Sequence, residues 1–193
     1  MNLREKPFNL NDEGIKWVQD TLCGMTQDEK IGQLFCMVAY TDDEDFLKKM
    51  QNDIRPGGLM CRPMPLTETV ASVNLLQKSA KIPMLIAANL ESGGNGAVAE
   101  ATKIGSPLQV AATDDMGMAA KLGTACGEVG AAAGINWTFA PIIDLDLISE
   151  TPSPIPALLA LKWKPLGIWA WHILMLCRIR VLRLLPSISQ AMA

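Results

Sequence analysis

The sequence lacks the cysteine patterns that define a disulfide framework or a zinc site. Its five cysteines are an odd number, and no two of them form a CxxC pair. Small disulfide-rich domains and structural zinc sites depend on paired, regularly spaced cysteines. Residues 1–10 also lack the apolar segment of a secretory signal. These absences predict a reducing, cytoplasmic location and no metal site.

Signatures of nucleotide binding and of a membrane span are missing as well. The glycines at residues 93–96 do not fit the GxGxxG spacing, and there is no P-loop. The longest uncharged run in the apolar C-terminal region is 13 residues, at 165–177, whereas a span needs roughly 20. We therefore expect no cofactor, no nucleic-acid partner and no membrane-spanning segment.

Charge divides the chain into two parts. The net charge is −3, but residues 1–147 carry a balance of −7 and residues 148–193 a balance of +4. Three of the five tryptophans and the one histidine, His172, lie in the second part. A shift of this kind marks a boundary. We predict one organised region at 1–147 and a tail at 148–193.

Helical and strand patterns alternate through the organised region. Asn11 and Thr26 have the positions of helix caps, the latter with Glu29 in a capping-box spacing. Continuous apolar runs predict strands that are covered on both faces, which is typical of a parallel sheet. After the two capped helices, further helices are predicted at residues 42–52, with Phe46, Leu47 and Met50 pointing inward, at 66–80 and at 114–133. Strands are predicted at residues 34–38, 59–61, 84–88 and 135–140.

Two predicted strands end in polar residues. Asn89 and Glu91 follow the third strand, and Asp144 and Asp146 follow the fourth. In α/β folds the functional residues lie at the carboxyl ends of strands, and amide and carboxylate groups suit the hydroxyl groups of a sugar. The alternative is a structural turn in which Asn89 and Glu91 bond local backbone and Gly93 supplies a positive φ. The pattern alone favours the turn.

Four segments resemble motifs of glycoside hydrolase family 3, in the same order. The segments are MTQDEKIGQLF (25–35), RPGGL (55–59), IPMLIAANLESGG (82–94) and GINWTFAPIID (134–144). The resemblance covers residues 25–147. It implies an α/β fold, the first half of a (β/α)8 TIM-type barrel, and retaining hydrolysis of β-linked glucosides or N-acetylglucosaminides. The partner it implies is a small carbohydrate substrate.

The resemblance also assigns the polar residues at the strand ends. Asn89 takes the position of an aspartate that binds sugar hydroxyls in the family, so the charge-assisted part of that hydrogen bonding is lost. Asp144 matches an aspartate that shapes the site, and Glu91 matches a glutamate that supports the loop. We predict these three as substrate-binding residues, and no catalytic residue, because the family's nucleophile lies beyond the end of this chain.

The tail fits the family in a different reading frame. If the third base of each codon is joined to the first two bases of the next, residues 148–161 permit FRNP(L/I)TNTRTFGS and residues 186–193 permit KHFPGDG. Both are motifs that the family places after the APxxD segment. We predict a one-nucleotide frameshift near residues 145–148 and a tail that is foreign to the fold.

Two hypotheses follow for the chain as translated. The first is a truncated glycosidase that is inactive alone, with two open parallel edges and an uncovered interior face that favour aggregation. The second is a non-catalytic carbohydrate-binding or membrane-associated fragment, in which the basic, apolar residues 157–185 act as a surface helix.

Overall fold

A computed structural model of the chain describes residues 2–142. Asp144, Asp146 and the predicted tail lie outside the described residues. In chain order, the elements are α1 (Asp12–Gly24), α2 (Gln27–Gly32), β1 (Cys36–Ala39), α3 (Glu44–Asp53), β2 (Gly58–Cys61), α4 (Leu66–Ser79), β3 (Leu85–Ala88), a 3₁₀ turn (Gly94–Gly96), α5 (Pro107–Ala112), α6 (Met116–Ala132) and β4 (Trp137–Thr138).

Side-chain caps fix the starts of the helices. The Asn11 side chain accepts a hydrogen bond from the Gly14 amide at 2.9 Å. The predicted capping box is confirmed, because the Thr26 hydroxyl accepts from the Glu29 amide at 3.2 Å and the Glu29 carboxylate accepts from the Thr26 amide at 2.8 Å. Such caps satisfy amides that the first helical turn leaves unpaired.

The four strands form one parallel sheet in the order β1-β2-β3-β4. The connections β1–α3–β2, β2–α4–β3 and β3–α5–α6–β4 each return the chain to the next strand position. Helices α3 and α4 pack against each other, and α6 packs against α5 and the 3₁₀ turn. The prediction of an α/β fold with parallel strands is confirmed, and the sheet has the strand order of a TIM-type barrel.

One face of the sheet is covered by helices. The register aligns Met37, Leu59 and Ile86 across β1, β2 and β3, and on this face Leu59 is 1% exposed and Ile86 is fully buried. Burying a side chain of this size stabilises the fold by roughly 1.5–3 kcal/mol. The other fully buried or nearly buried members of this core include Leu47 of α3, Leu76 of α4 and Leu122 of α6.

The opposite face, which we call the open face, carries exposed apolar side chains. Val38 and Leu85 are each 51% exposed, and Cys36 is also exposed. The small residues Gly58 and Ala87 are buried there. The uncovered interior face expected from the sequence is therefore present in the described part of the chain.

Three details differ from the sequence expectations. Strand β1 begins at Cys36 rather than at residue 34, because the Leu34 and Phe35 amides continue the turn of α2 with bonds to the Ile31 and Gly32 carbonyls, each at 3.0 Å. The prediction that this strand is buried is wrong for its open-face residues. Strand β4 is two residues long rather than six.

Helix α3 also departs from the prediction in one of its apolar residues. Its N-cap is Asp43, and Leu47 and Met50 are buried as expected. Phe46, predicted to point inward, is 50% exposed.

Candidate functional site

Four side chains lie in one row across the carboxyl edge of the sheet. Each of the four directly follows the last residue of a strand: Tyr40, Arg62, Asn89 and Phe139. The register pairs Ala39 with Cys61, Met60 with Ala87, and Ala88 with Thr138. Extending these pairs places the four residues side by side. Because side chains alternate along a strand, the row projects on the side of the open face. We call these four residues the carboxyl-edge row.

Arg62 is held in this row by an aromatic ring. Its guanidinium carbon lies 5.4 Å from the centre of the Tyr40 ring, within range of a cation–π contact. Its Nε atom is buried and has no hydrogen-bond partner, and no ion pair within residues 2–142 involves it. Arg62 was not among the site residues predicted from the sequence, although its place as a charged residue directly after the predicted strand 59–61 was an available signal.

Asn89 lies where the chain folds back on itself. A Cβ atom at Gly96 would come within 1.6 Å of the Asn89 carbonyl oxygen, so the 3₁₀ turn packs directly on the Asn89 backbone. The side chains of Asn89 and Glu91 take no part in the hydrogen bonds found within residues 2–142. The local side-chain bonds of the turn interpretation are thus not found in the described part of the chain.

The loop after β3 is fixed instead by backbone hydrogen bonds. The Ser92 carbonyl accepts from the Ile104 amide at 2.8 Å and from the Gly105 amide at 3.1 Å. Gly93 has a φ of +137°, and a Cβ atom there would lie 2.3 Å from the Thr102 carbonyl oxygen. A side chain at this position is excluded by both conformation and space. The positive φ expected of Gly93 is present.

Aromatic and hydroxyl groups border the row at β4. The rings of Trp137 and Phe139 are 4.7 Å apart between centroids and form an apolar wall beside Asn89. The Thr138 hydroxyl donates to the Ala88 carbonyl at 3.2 Å and accepts from the Ala140 amide at 3.1 Å. The first of these bonds ties the end of β4 to the end of β3.

Asn89 and Glu91, predicted as substrate-binding residues, therefore lie on one loop at the carboxyl edge, and Asp144 lies outside the described residues. Within residues 2–142 no group of three or more His, Cys, Asp or Glu residues is arranged to hold a metal ion. In the same part of the chain, no helix has the length and apolarity that crossing a bilayer requires.

Two titratable groups with shifted pKa values, Glu29 and Cys61, are not members of the row. The Thr26 amide and the Lys81 ammonium group, 3.1 Å from the carboxylate, lower the pKa of Glu29 at the amino edge of the sheet. Burial, together with nearby Cys36, raises the pKa of the Cys61 thiol to about 11. Cys61 is therefore protonated at neutral pH and is not a nucleophile there.

Residues 26–155 match the family described as Glycosyl hydrolase family 3 N terminal domain. A Cellulomonas fimi protein named beta-N-acetylglucosaminidase/beta-glucosidase is 42% identical over 152 residues, which are 79% of this chain and 27% of that protein.

Solved structures agree with this match. A beta-glucoside phosphorylase BglX bound to 2FGlc is 37% identical with a TM-score of 0.86, over 93% of this chain and 33% of that one. A family 3 glycosyl hydrolase from Mycobacterium smegmatis has a TM-score of 0.64 at 19% identity, over 83% of this chain and 49% of that one, and supports the fold alone. The chain spans about a third or less of the first two relatives. By its sequence match and its fold, the chain belongs to glycoside hydrolase family 3.

Proposed function

We propose that this chain contributes the sugar-binding edge of a retaining glycosidase that removes terminal β-linked N-acetylglucosamine or glucose. Membership of the family supports glycosidase function. The finer assignment rests on the 42% identity to the Cellulomonas fimi protein, whose name gives both sugars. The carboxyl-edge row supports the proposal, because an amide at Asn89 beside an arginine and aromatic rings suits a ligand with both hydroxyl groups and an apolar ring face.

The row binds and orients in this proposal, and it does not perform the chemistry. Retaining cleavage needs a nucleophile and an acid/base about 5–5.5 Å apart on opposite sides of the scissile bond. Asn89 cannot carry a charge, and Glu91 matches no nucleophile motif of the family. We therefore propose that the chain alone binds sugar and does not hydrolyse glycosides.

Assays of the purified chain test this assignment. We expect no release of 4-nitrophenol from 4-nitrophenyl β-N-acetylglucosaminide or β-glucoside, and measurable binding of glucose or N-acetylglucosamine by titration calorimetry. Asn89→Asp restores a charged acceptor, so it should tighten binding by several-fold. The matched change Asn52→Asp, at the opposite edge of the sheet, should leave binding unchanged. Turnover by the chain would contradict the proposal that it lacks its catalytic groups.

Phosphorolysis is a second candidate for the reaction. The similarity to the beta-glucoside phosphorylase, at 37% identity over 93% of this chain, favours it. A phosphorylase transfers the glycosyl group to phosphate rather than to water. An active, in-frame form of the protein would distinguish the two, because phosphorolysis yields a sugar 1-phosphate and depends on added phosphate, whereas hydrolysis yields free sugar without it.

We also propose that residues 148–193 are translated out of frame and form no domain. The two family motifs that the alternative frame permits, in order, support this. Sequencing the gene with its flanking DNA tests it. Stop codons in the alternative frame, or a continuation that does not encode barrel sequence, would reject the frameshift.

A reducing, cytoplasmic location belongs to the same proposal. In the described part of the chain, Cys23, Cys36 and Cys61 all carry free thiols. Mass spectrometry of protein from its native source would check it, since disulfide formation there is incompatible with a reducing compartment.

A further inference from the structure

We propose that Arg62 and Asn95 form a donor–acceptor pair that binds a sugar hydroxyl group beside Asn89. The inference rests on the proposed function, since it names a further part of the same site. Two atoms carry it: Nε of Arg62 and Oδ1 of Asn95 are both buried, and neither has a hydrogen-bond partner. Buried polar atoms in folded proteins are almost always paired, so each such exception calls for a cause.

The backbone brings the two residues to the same edge of the sheet. Met64, two residues after Arg62, pairs in parallel with Val98, three residues after Asn95. The Ala99 amide donates to the Met64 carbonyl at 2.9 Å. The segment that leaves β2 therefore runs beside the segment that follows the 3₁₀ turn.

Both segments adjoin Asn89. The register of β2 and β3 places Arg62 beside Asn89 when it is extended by two residues from Met60 and Ala87. The 3₁₀ turn that contains Asn95 packs on the Asn89 carbonyl through Gly96. The unpaired donor and the unpaired acceptor thus lie on the two segments that flank the predicted sugar-binding amide.

The chemistry of the two atoms selects the ligand group. An arginine Nε–H can only donate, and an amide oxygen can only accept. A hydroxyl group accepts from one partner and donates to the other, so it satisfies both atoms together. A phosphate or carboxylate group would satisfy Arg62 and leave the Asn95 oxygen facing another acceptor. The cation–π contact with Tyr40 holds the guanidinium in place before the ligand arrives.

Titration calorimetry of the full chain with glucose and N-acetylglucosamine tests the pair. Arg62→Met and Asn95→Leu keep the side-chain volume but remove the donor and the acceptor. Each should weaken binding of the sugar by about tenfold, since the bound hydroxyl group loses one of its two hydrogen bonds. Arg62→Lys should weaken binding too, because it keeps the charge but lacks Nε. Arg55→Met, the same change at the amino edge of β2, should leave affinity unchanged.

A series of deoxyglucoses identifies the hydroxyl. One member should bind the unchanged chain about tenfold more weakly than glucose does, and Arg62→Met should weaken that member no further. Circular dichroism and thermal melting would establish that each variant is folded. If Arg62→Met does not fold, the affinity of Arg62→Lys tests the inference in its place.

The failures of the two proposals are distinguishable. If Asn89→Ala abolishes sugar binding while the Arg62 and Asn95 variants bind as the unchanged chain does, the inference is overturned and the proposed function stands. If the unchanged, folded chain binds neither sugar, both are overturned for this chain.

Discussion

The two faces of the sheet have similar apolar composition and opposite environments. On the helix-covered face, Leu59 and Ile86 are buried almost completely, whereas Leu85, the residue before Ile86 in β3, is half exposed on the open face. Strand composition does not distinguish them, since both faces carry leucine, valine or isoleucine. The covering helices make the difference, so burial here is a property of the arrangement and not of the residue.

The open face and the carboxyl-edge row belong to the same side of the sheet. In a closed TIM-type barrel this side faces inward and is filled by layers of side chains. In the described part of the chain, the exposed residues on the strands of the open face are Cys36, Val38, Leu85 and Trp137. The stability of the described fold therefore rests on the helix-covered face, and ligand chemistry is concentrated at the edge of the other.

The largest expected effect compares one leucine from each face. Leu59→Ala should cost about 2–5 kcal/mol of unfolding free energy, because it opens a cavity in a packed core. Leu85→Ala should cost less than about 1 kcal/mol, because half of the side chain is already in contact with solvent. Urea denaturation followed by circular dichroism measures both. Equal losses of unfolding free energy in the two variants would mean that the open face is covered in solution, and the two faces would then not differ in environment.

Two glycine substitutions test the packing of the 3₁₀ turn at the carboxyl edge of the sheet. Gly96→Ala should destabilise the chain by about 1–3 kcal/mol, since its Cβ would overlap the Asn89 carbonyl, and it should also weaken sugar binding. Gly24→Ala is the control, because no atom lies within 4 Å of its Cβ position, and it should change stability by less than about 1 kcal/mol. Thermal melting and calorimetry report the two effects; a Gly96→Ala chain as stable as the control would show that the 3₁₀ turn does not pack on Asn89.

A smaller effect concerns Glu29, which lies at the amino edge and outside both faces. Its pKa is lowered from 4.5 in the folded chain by the Thr26 amide and Lys81. Its contribution to stability is therefore complete above about pH 5 and is lost as the pH falls through the lowered pKa. Glu29→Gln should reduce the loss of melting temperature between pH 6 and pH 3.

The control for this pH dependence is Glu13→Gln, in the first turn of α1. Melting temperatures of both variants would be measured across the same pH series. An unchanged pH dependence in Glu29→Gln would show that the capping box and Lys81 do not hold the carboxylate in solution.

The smallest expected effect leaves stability unchanged and concerns the chemical reactivity of one thiol on each face. Cys36 is exposed on the open face, and Cys61 is buried on the other with a pKa of about 11. N-ethylmaleimide at pH 8 should modify Cys36 in the folded chain and Cys61 only after unfolding. Because burial also raises the pKa of Cys36, its modification should be slower than that of Cys23. Peptide mass spectrometry measures all three, and early modification of Cys61 would contradict the assigned faces.

The sequence predicted the fold well where a side chain forms a hydrogen bond with backbone a few residues away. Asn11 and Thr26 mark helix starts because their side chains pair with amides three residues away. Ser106 and Gln109 form the same capping box at α5, and that helix was missed although its signal was present. Element type was predictable from such patterns together with apolar periodicity.

Strand limits and burial were less predictable, because they depend on distant partners. Leu34 and Phe35 belong to the apolar run of β1, yet their amides bond the preceding turn and not β2. The candidate site divides in the same way. Asn89 was predictable from a motif and Arg62 from its place directly after a predicted strand, whereas Asn95 becomes notable only when its buried, unpaired oxygen is visible.

The sequential strand order has a consequence for how the chain is made. Each strand pairs with the one synthesised just before it, so β1 and β2 can associate, and α3 can close over them, while β4 has not yet left the ribosome. Every step of growth adds one strand and its helix to an existing edge, and none requires an earlier pairing to open. The sheet can thus assemble in the direction of translation, from the amino-terminal strand onward.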